Sequence, residues 1–414
     1  MTDDVDTLTD APTEAGPRHR RGQAKPPPRP PSARDLRRDA DRDRRARGRR
    51  RIAWALVGAV ALVTVSVVGS VWWLEREPEP EAVPAAAPLA GEGESVLVLL
   101  AHEGETIGFA LAAAHPDAAD TVVLFPGSMS AIVPGYGSWD LAFAAGVDDA
   151  DLPALTLTNL LGARVDATVV VEAAALAGPI AGATINLPQP LIVADGDDQV
   201  VAVGAGAAER DAAAVERILT QQGTDDQLSW LVRQGLVWRE VLERAASDES
   251  LVFDLLEGAA GDAVGARSVL EAIAADEAAT VTAAPVEPVD TLGTGAERYR
   301  LQVDDAEAFV DARIPWLDLA VGERPRVEIL NGTGEVGITG PIAAALVRDG
   351  YRVVRTDNAD STDVDVTRIV GHTIENQTVA LSVAELLGFG EVRIEQRQPS
   401  LIVDVTVIVG DDFS

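Results

Sequence analysis

The feature that most constrains this chain is an uncharged apolar run from Ile52 to Leu74. Its 23 residues are enough for a helix to cross a hydrocarbon core about 30 Å thick. The run has no polar face, so it does not match the amphipathic helix of a soluble fold. A cleaved signal peptide is the competing interpretation, but the 51 residues before the run are long for one. The run therefore predicts a transmembrane helix at residues 52–74.

Opposite charges flank this run. On its N-terminal side stand Arg44, Arg45, Arg47, Arg49, Arg50 and Arg51, and Glu75, Glu77, Glu79 and Glu81 follow it. Positively charged flanks stay in the cytoplasm. We therefore expect a single-pass protein of the cell membrane, with residues 1–51 cytoplasmic and the remaining body extracytoplasmic.

Charge and composition divide the chain further. Residues 1–51 hold 15 Lys+Arg and 9 Asp+Glu, a net charge of +6. The whole chain has a net charge of −32, so the residues after 51 have a net charge of −38. The basic segment is rich in Pro and Arg and poor in apolar residues, which predicts a disordered tail. Residues 75–94 read as a Pro/Ala/Glu linker. The acidic body argues against nucleic acid as its partner. The absence of cysteine excludes disulfides and cysteine nucleophiles.

The body starts at Ser95, and its alternating strand and helix patterns predict an α/β layered domain over residues 95–320. Apolar runs predict strands at 95–101, 121–125 and 167–172, with helical patterns between them. Amphipathic periodicity predicts helices at 209–222, 226–246, 251–257 and 266–275.

A Pro/Gly-marked joint at residues 314–324 precedes a predicted small α+β domain at 324–414 with a core of its own. Its predicted strands lie at 326–330, 351–355, 367–371, 391–396 and 401–409, and its helices at 340–349 and 375–387. The sequence Asn331-Gly332-Thr333-Gly334 reads as a turn after the first of these strands.

Three patterns could carry chemistry, and each has a simpler structural interpretation. Ser128 and Ser130 lie in a glycine-framed loop, but the spacing of a nucleophile elbow is missing and no histidine lies close in sequence. The G-x-G at Gly204 has Glu209 at the third glycine position, where it would repel a pyrophosphate. The acidic clusters near Asp149 and Asp197 do not match a calcium loop and are typical of solvated turns.

Longer stretches resemble the LytR-CpsA-Psr (LCP) family. These are PGYGSWDLAFAAG (134–146), LLGARVDATVVVE (160–172), AGATINLPQPL (181–191), LVRQGLVWREVLERA (231–245) and GAERYRLQVDDAEAFV (295–310). RVEILNGTGEVGITG and VDVTVIVGDDF resemble the LytR C-terminal domain. The resemblance implies a bacterial envelope protein with an LCP-like α/β/α domain followed by a LytR C-terminal domain. Members of this family transfer glycopolymers from polyprenyl-pyrophosphate carriers to peptidoglycan.

The resemblance also implies that the catalytic site has degenerated. The family's Asp-Thr pair, which helps to hold magnesium, matches Glu105-Thr106, and its Pro-Arg-Asp triplet matches Pro126-Gly127-Ser128. Leu219, Gln221 and Trp230 fall about where family arginines sit, and Arg233-Gln234 alone keeps the pattern. Each lost cation removes transition-state stabilisation from pyrophosphate cleavage.

We therefore expect a non-catalytic LCP-like pseudoenzyme with no catalytic residues, no metal and no cofactor. Its expected partner is an envelope glycopolymer, a polyprenyl lipid or an envelope protein. The alternative is an active, magnesium-dependent phosphotransferase in which Arg210, Arg217 or Arg239 replaces the missing cations. A transcriptional role, suggested by the family's older name, has no helix-turn-helix or basic face to support it.

Overall fold

The computed structural model describes residues 93–248, 250–289, 297–319, 323–395 and 402–413. These residues belong to one unit of mutual contacts, residues 86–414. The predicted tail, transmembrane helix and all but the end of the predicted linker lie outside the described residues. Among the helices that are described, none is both long and apolar enough to span a membrane.

The layered region, residues 93–319, contains strands and helices in mixed order. The strands are β1 Glu94–His102, β2 Glu105–Ala114, β3 Thr121–Phe125, β4 Met129–Val133, β5 Gly137–Asp140, β6 Ala167–Glu172, β7 Ala183–Leu187, β8 Leu191–Asp195, β9 Asp198–Val203, β10 Gly206–Arg210, β11 Ala260–Gly261, β12 Thr280–Ala283, β13 Glu287–Pro288 and β14 Tyr299–Arg300. The helices are α1 Leu141–Gly146, α2 Leu152–Leu161, α3 Ala173–Ala177, α4 Ala212–Thr220, α5 Gln227–Ala245, α6 Ser250–Leu256, α7 Ala263–Ala275 and α8 Val303–Arg313.

A six-stranded sheet of order β11-β6-β1-β2-β3-β12 divides this region into two apolar layers. Successive side chains of a strand point to opposite faces. Val96, Val98 and Leu100 of β1 accordingly pack with helices α3 to α7. Leu97 and Leu99 pack on the other face with α1, α2 and α8. The predicted α/β/α layering is confirmed in this mixed sheet.

Two predicted helical stretches differ from the structure, the first along its whole length and the second at its start. Residues 105–114 are rich in alanine, yet they pair antiparallel with β1 from Glu94↔Ala114 to His102↔Glu105. Pairing along the whole strand outweighs the weak helix preference of the isolated segment. The predicted helix at 209–222 begins only at Ala212, because Glu209 and Arg210 pair with β7. Asp211 then caps the helix by accepting a hydrogen bond from the Ala214 amide at 2.8 Å.

The C-terminal region, residues 323–413, has a five-stranded sheet with the order β16-β15-β19-β17-β18. Its elements are β15 Arg326–Asn331, α9 Thr339–Arg348, β16 Arg352–Asn358, β17 Arg368–Gly371, α10 Gln377–Leu387, β18 Glu391–Ile394 and β19 Val405–Val409. The predicted α+β elements are all present. The last strand begins at Val405, later than the predicted residue 401. The Asn331 turn is also present, with Gly334 at φ +77°.

The joint between the two regions is packed. Ile314, Trp316 and Leu317 are buried in a layer of the first region. Val133, Ala144, Leu152 and Leu155 of the first region share an apolar cluster with the C-terminal strands and helices. The apolar cluster of the C-terminal region thus also includes side chains of the first region, and the sequence pattern at the joint gives no sign of this burial.

Candidate functional site

Gly127 and Ser128, the positions of the lost triplet, follow strand β3 at one end of the sheet. The Ser128 hydroxyl donates a short hydrogen bond to Gln227 Oε1, and the Ser128 amide reaches the same oxygen at 3.3 Å. A Cβ added at Gly127 would lie 3.4 Å from the Phe109 ring and 3.5 Å from Ala142 Cβ. The Ser128 hydroxyl is thus hydrogen-bonded to the side-chain amide of Gln227, whereas a catalytic serine needs a base at this position.

Gln227 is the first residue of helix α5, whose N-terminus faces this loop. Asp226 caps the helix by accepting from the Ser229 amide at 2.7 Å. This backbone hydrogen bond lowers the pKa of the Asp226 carboxyl. The Gln227 amide donates to Glu297 Oε2 at 2.9 Å. Helix N-terminal amides attract anions, but here carboxylates of the chain itself already accept from them.

Arg233, the one arginine that keeps the family pattern, is 4% exposed. Its Nη1 donates to Asp225 Oδ2 at 2.5 Å and its Nη2 to the Gln222 carbonyl at 2.7 Å. Its Nε is buried without a hydrogen-bond partner among the described residues. The positive charge is therefore neutralised within the chain by an ion pair with limited access to solvent.

Gln234 and Trp230 tie helix α5 to helix α4. Gln234 Nε2 donates to the Leu219 carbonyl at 3.0 Å, and Trp230 Nε1 donates to the same carbonyl at 3.1 Å. Leu219 is itself fully buried, and Gln221 is the C-cap of α4. Leu219 and Trp230, two positions where the resemblance expects cations, therefore help to hold these two helices together.

Glu105 and Thr106 are the first two residues of strand β2. They follow the tight turn between β1 and β2, where Glu103 adopts φ 53° and Gly104 φ 85°. A bulge at Leu100/Ala101 lies between this pair and Gly108. The side-chain amide of Gln234 packs beside Gly108, and a Cβ added at Gly108 would lie 3.5 Å from it. Thr106 lines a different cavity of about 490 Å³ with an acidic rim. Hydrogen bonds link Ser128 to the Arg233 network, which consists of Arg233, Gln222, Asp225, Gln227 and Glu297. Among the described residues, no side-chain hydrogen bond joins Glu105 or Thr106 to this network.

Among the described residues, no group of three or more histidine or acidic side chains is arranged to hold a metal ion.

The three arginines considered as replacements do not converge on this loop. Arg210 Nη2 donates to the carbonyls of Gly204 and Gly206 at 2.8 and 2.9 Å. Arg239 donates to the Val281 carbonyl at 3.3 Å and lines a cavity with Ile273. Arg217 is exposed in the last turn of α4.

Sequence reasoning missed four members of the network: Gln222, Asp225, Gln227 and Glu297. An Asp before an amphipathic run is a helix-start signal, and the stretch Asp225-Asp226-Gln227 carries it. Glu297 has no such local signal, because it is 70 residues from the amide that it accepts from.

Comparison with known proteins gives one family match. Residues 324–413 match the family model LytR_C, described as LytR cell envelope-related transcriptional attenuator. No curated protein matches the sequence of the chain.

Several solved structures are similar at low identity. A LytR-Csp2A-Psr enzyme from Actinomyces oris is 16% identical over 56% of this chain and 93% of that chain, with a TM-score of 0.42. TagV of B. subtilis is 10% identical over 53% of this chain and 95% of its own, with a TM-score of 0.43. A transcriptional regulator from Enterococcus faecalis is 16% identical over 52% of this chain and 84% of its own, with a TM-score of 0.42.

Structural similarity at such low sequence identity does not indicate a shared activity. The family match covers the C-terminal region alone. The chain thus carries a LytR C-terminal domain at residues 324–413, and its resemblance to the LytR-CpsA-Psr proteins is confirmed there.

Proposed function

We propose that this protein is a non-catalytic, LCP-like component of the bacterial cell envelope that acts by binding. The family match at residues 324–413 supports the envelope assignment. The partner we propose is an envelope glycopolymer, a polyprenyl lipid or an envelope protein. The uncharged run at residues 52–74 supports a single membrane anchor with the acidic body outside the cytoplasm.

The observation that carries the non-catalytic assignment is the engagement of Arg233. Pyrophosphate cleavage needs cations to stabilise charge that develops on phosphate oxygens. At the start of helix α5 the guanidinium of Arg233 is already paired with Asp225. Glu297 accepts a hydrogen bond from the Gln227 backbone amide, which could otherwise donate to a phosphate oxygen. An incoming pyrophosphate would have to displace both carboxylates and meet Asp226 beside them.

The alternative, an active phosphotransferase, requires cations from another part of the fold. Arg210 and Arg239 are bonded to backbone carbonyls of other segments, so neither supports this alternative.

The test is a calorimetric titration of the full-length chain with inorganic pyrophosphate in the presence of Mg²⁺. We expect no saturable binding by the wild-type protein. Arg233→Ala is the test variant, and Arg239→Ala, which removes another arginine of the same helix, is its matched control. Circular dichroism checks that both variants fold. Pyrophosphate binding that is lost in Arg233→Ala and retained in Arg239→Ala would contradict the proposal.

A further inference from the structure

Three aromatic rings form an exposed platform on the hairpin after Ser128 and the helix that follows it. The Trp139 ring stacks on Phe143, with centroids 4.5 Å apart and planes within 16°. Tyr136 meets Phe143 edge-on at 5.9 Å. Trp139 is 49% exposed and Tyr136 is 38% exposed. Since Phe143 covers one face of the indole, the exposed area of Trp139 includes its opposite face. We name Tyr136, Trp139 and Phe143 the aromatic platform.

The platform is held in place before any ligand arrives. Trp139 Nε1 donates to the Tyr136 carbonyl at 2.9 Å, which fixes the indole on its own hairpin. Phe143 packs against the apolar cluster shared with the C-terminal region. The Thr339 hydroxyl of that region donates to the Gly135 carbonyl at 3.0 Å. A fixed ring loses little conformational freedom when a ligand binds.

The platform presents aromatic faces, and the polar residues next to Trp139 in the strand lie on its other side. Ser138 and Asp140 flank Trp139 along β5, so their side chains point to the opposite side of the strand from the indole. Asp140 Oδ2 lies 3.6 Å from Arg298 Nη2, with both side chains partly exposed.

We infer that the aromatic platform binds the pyranose rings of an uncharged glycan. Axial C–H groups on one side of a pyranose ring carry partial positive charge, and they stack on the negative face of an indole. The net charge of −38 outside residues 1–51 disfavours a polyanionic polymer. This inference rests on the proposed binding function and specifies the chemical class of its partner.

The test uses the full-length chain and two probes, uncharged chitohexaose and anionic polygalacturonate. Among the described tryptophans, Trp139 is the exposed one, so glycan binding should shift the tryptophan emission to the blue. We expect binding of chitohexaose and little binding of polygalacturonate. Trp139→Ala should weaken chitohexaose binding by about tenfold or more, and Trp139→Phe should recover part of it.

Phe253→Ala is the matched control, because Phe253 is another exposed aromatic side chain, at 53%, on helix α6. Its affinity for chitohexaose should equal that of the wild type. Failure of the wild type to bind chitohexaose, equal affinity in Trp139→Ala, or preferential binding of polygalacturonate would overturn the inference. The pyrophosphate titration tests the proposed function separately, since none of these variants changes the Arg233 network.

Discussion

A single carboxylate sets what Arg233 can do. An arginine that is free to donate can grip two phosphate oxygens at once, but this one donates to Asp225 and to a backbone carbonyl. With the guanidinium 4% exposed, separation of the pair would leave a buried charge without compensation. Removal of one partner from such a pair is costly. The residue therefore works as a structural tie between the α4–α5 loop and helix α5.

Asn159 is a second residue whose side chain does structural work. Its Nδ2 donates to the Val353 carbonyl at 2.9 Å, and its Oδ1 accepts from the Val353 amide at 2.9 Å. The buried side-chain amide of Asn159 thus provides hydrogen-bond partners for the Val353 backbone in β16, a strand at the edge of its sheet. Asn159→Ala should lower the free energy of unfolding by about 2 to 4 kcal/mol, because two backbone groups lose their partners. Urea titration measures this change, and Asn186→Ala on an exposed position should leave stability nearly unchanged.

Asp404 should give stability a dependence on pH. Burial alone would raise the pKa of its carboxyl, but hydrogen bonds from the Arg326 side chain and amide outweigh it, and the pKa falls below 3.8. A depressed acid pKa stabilises the fold above the unfolded-state value, and this contribution disappears as pH falls through the folded-state value. Asp404→Asn should therefore cost about 2 kcal/mol at pH 7. The difference from wild type should shrink as pH falls below 3.8, and a difference that is constant with pH would contradict this account.

At the scale of an element, the start of helix α5 depends on its cap. Asp226 accepts from the Ser229 amide, and loss of such a cap typically costs about 1 kcal/mol. Asp226→Ala should show this loss in thermal unfolding, whereas Asp226→Asn, which keeps an acceptor oxygen, should stay close to wild type. Equal effects of the two substitutions would show that charge, rather than the cap bond, stabilises this helix start.

Helices and strands with strong local patterns were predictable from the sequence. Helix α5 has an apolar stripe and an acidic cap, and it lies within one residue of its predicted bounds, 226–246. Strand β2 was not predictable, because its alanine-rich segment becomes a strand only through pairing with β1. The same reason hid most of the site. Arg233 and Ser128 were found from the resemblance, but their partners Asp225, Gln227 and Glu297 depend on contacts between distant segments.

At the scale of the whole molecule, the β4–β5 hairpin, which carries Tyr136 and Trp139, packs closely against the C-terminal region. Gly135 has φ +85°, and an added Cβ would lie 2.7 Å from Gly340 Cα. Gly182 has nearly the same φ, +83°, with no atom within 4 Å of an added Cβ. Gly182→Ala should therefore cost only the strain of a positive φ, about 1 to 2 kcal/mol.

Gly135→Ala should cost clearly more than Gly182→Ala, because backbone at the contact must also move. Chemical denaturation of both variants measures the difference, which isolates the contact between the two regions. Equal losses of stability would mean that the hairpin and the C-terminal region are only loosely packed against each other.

The most direct test of the central claim is a turnover assay on the full-length protein with a polyprenyl-pyrophosphate glycan and Mg²⁺. The account predicts no release of the glycan from its carrier above the rate without protein, because Asp225 and Glu297 occupy the groups that would stabilise the transition state. Magnesium-dependent release by the wild-type protein that is abolished in a folded Arg233→Ala variant would contradict it.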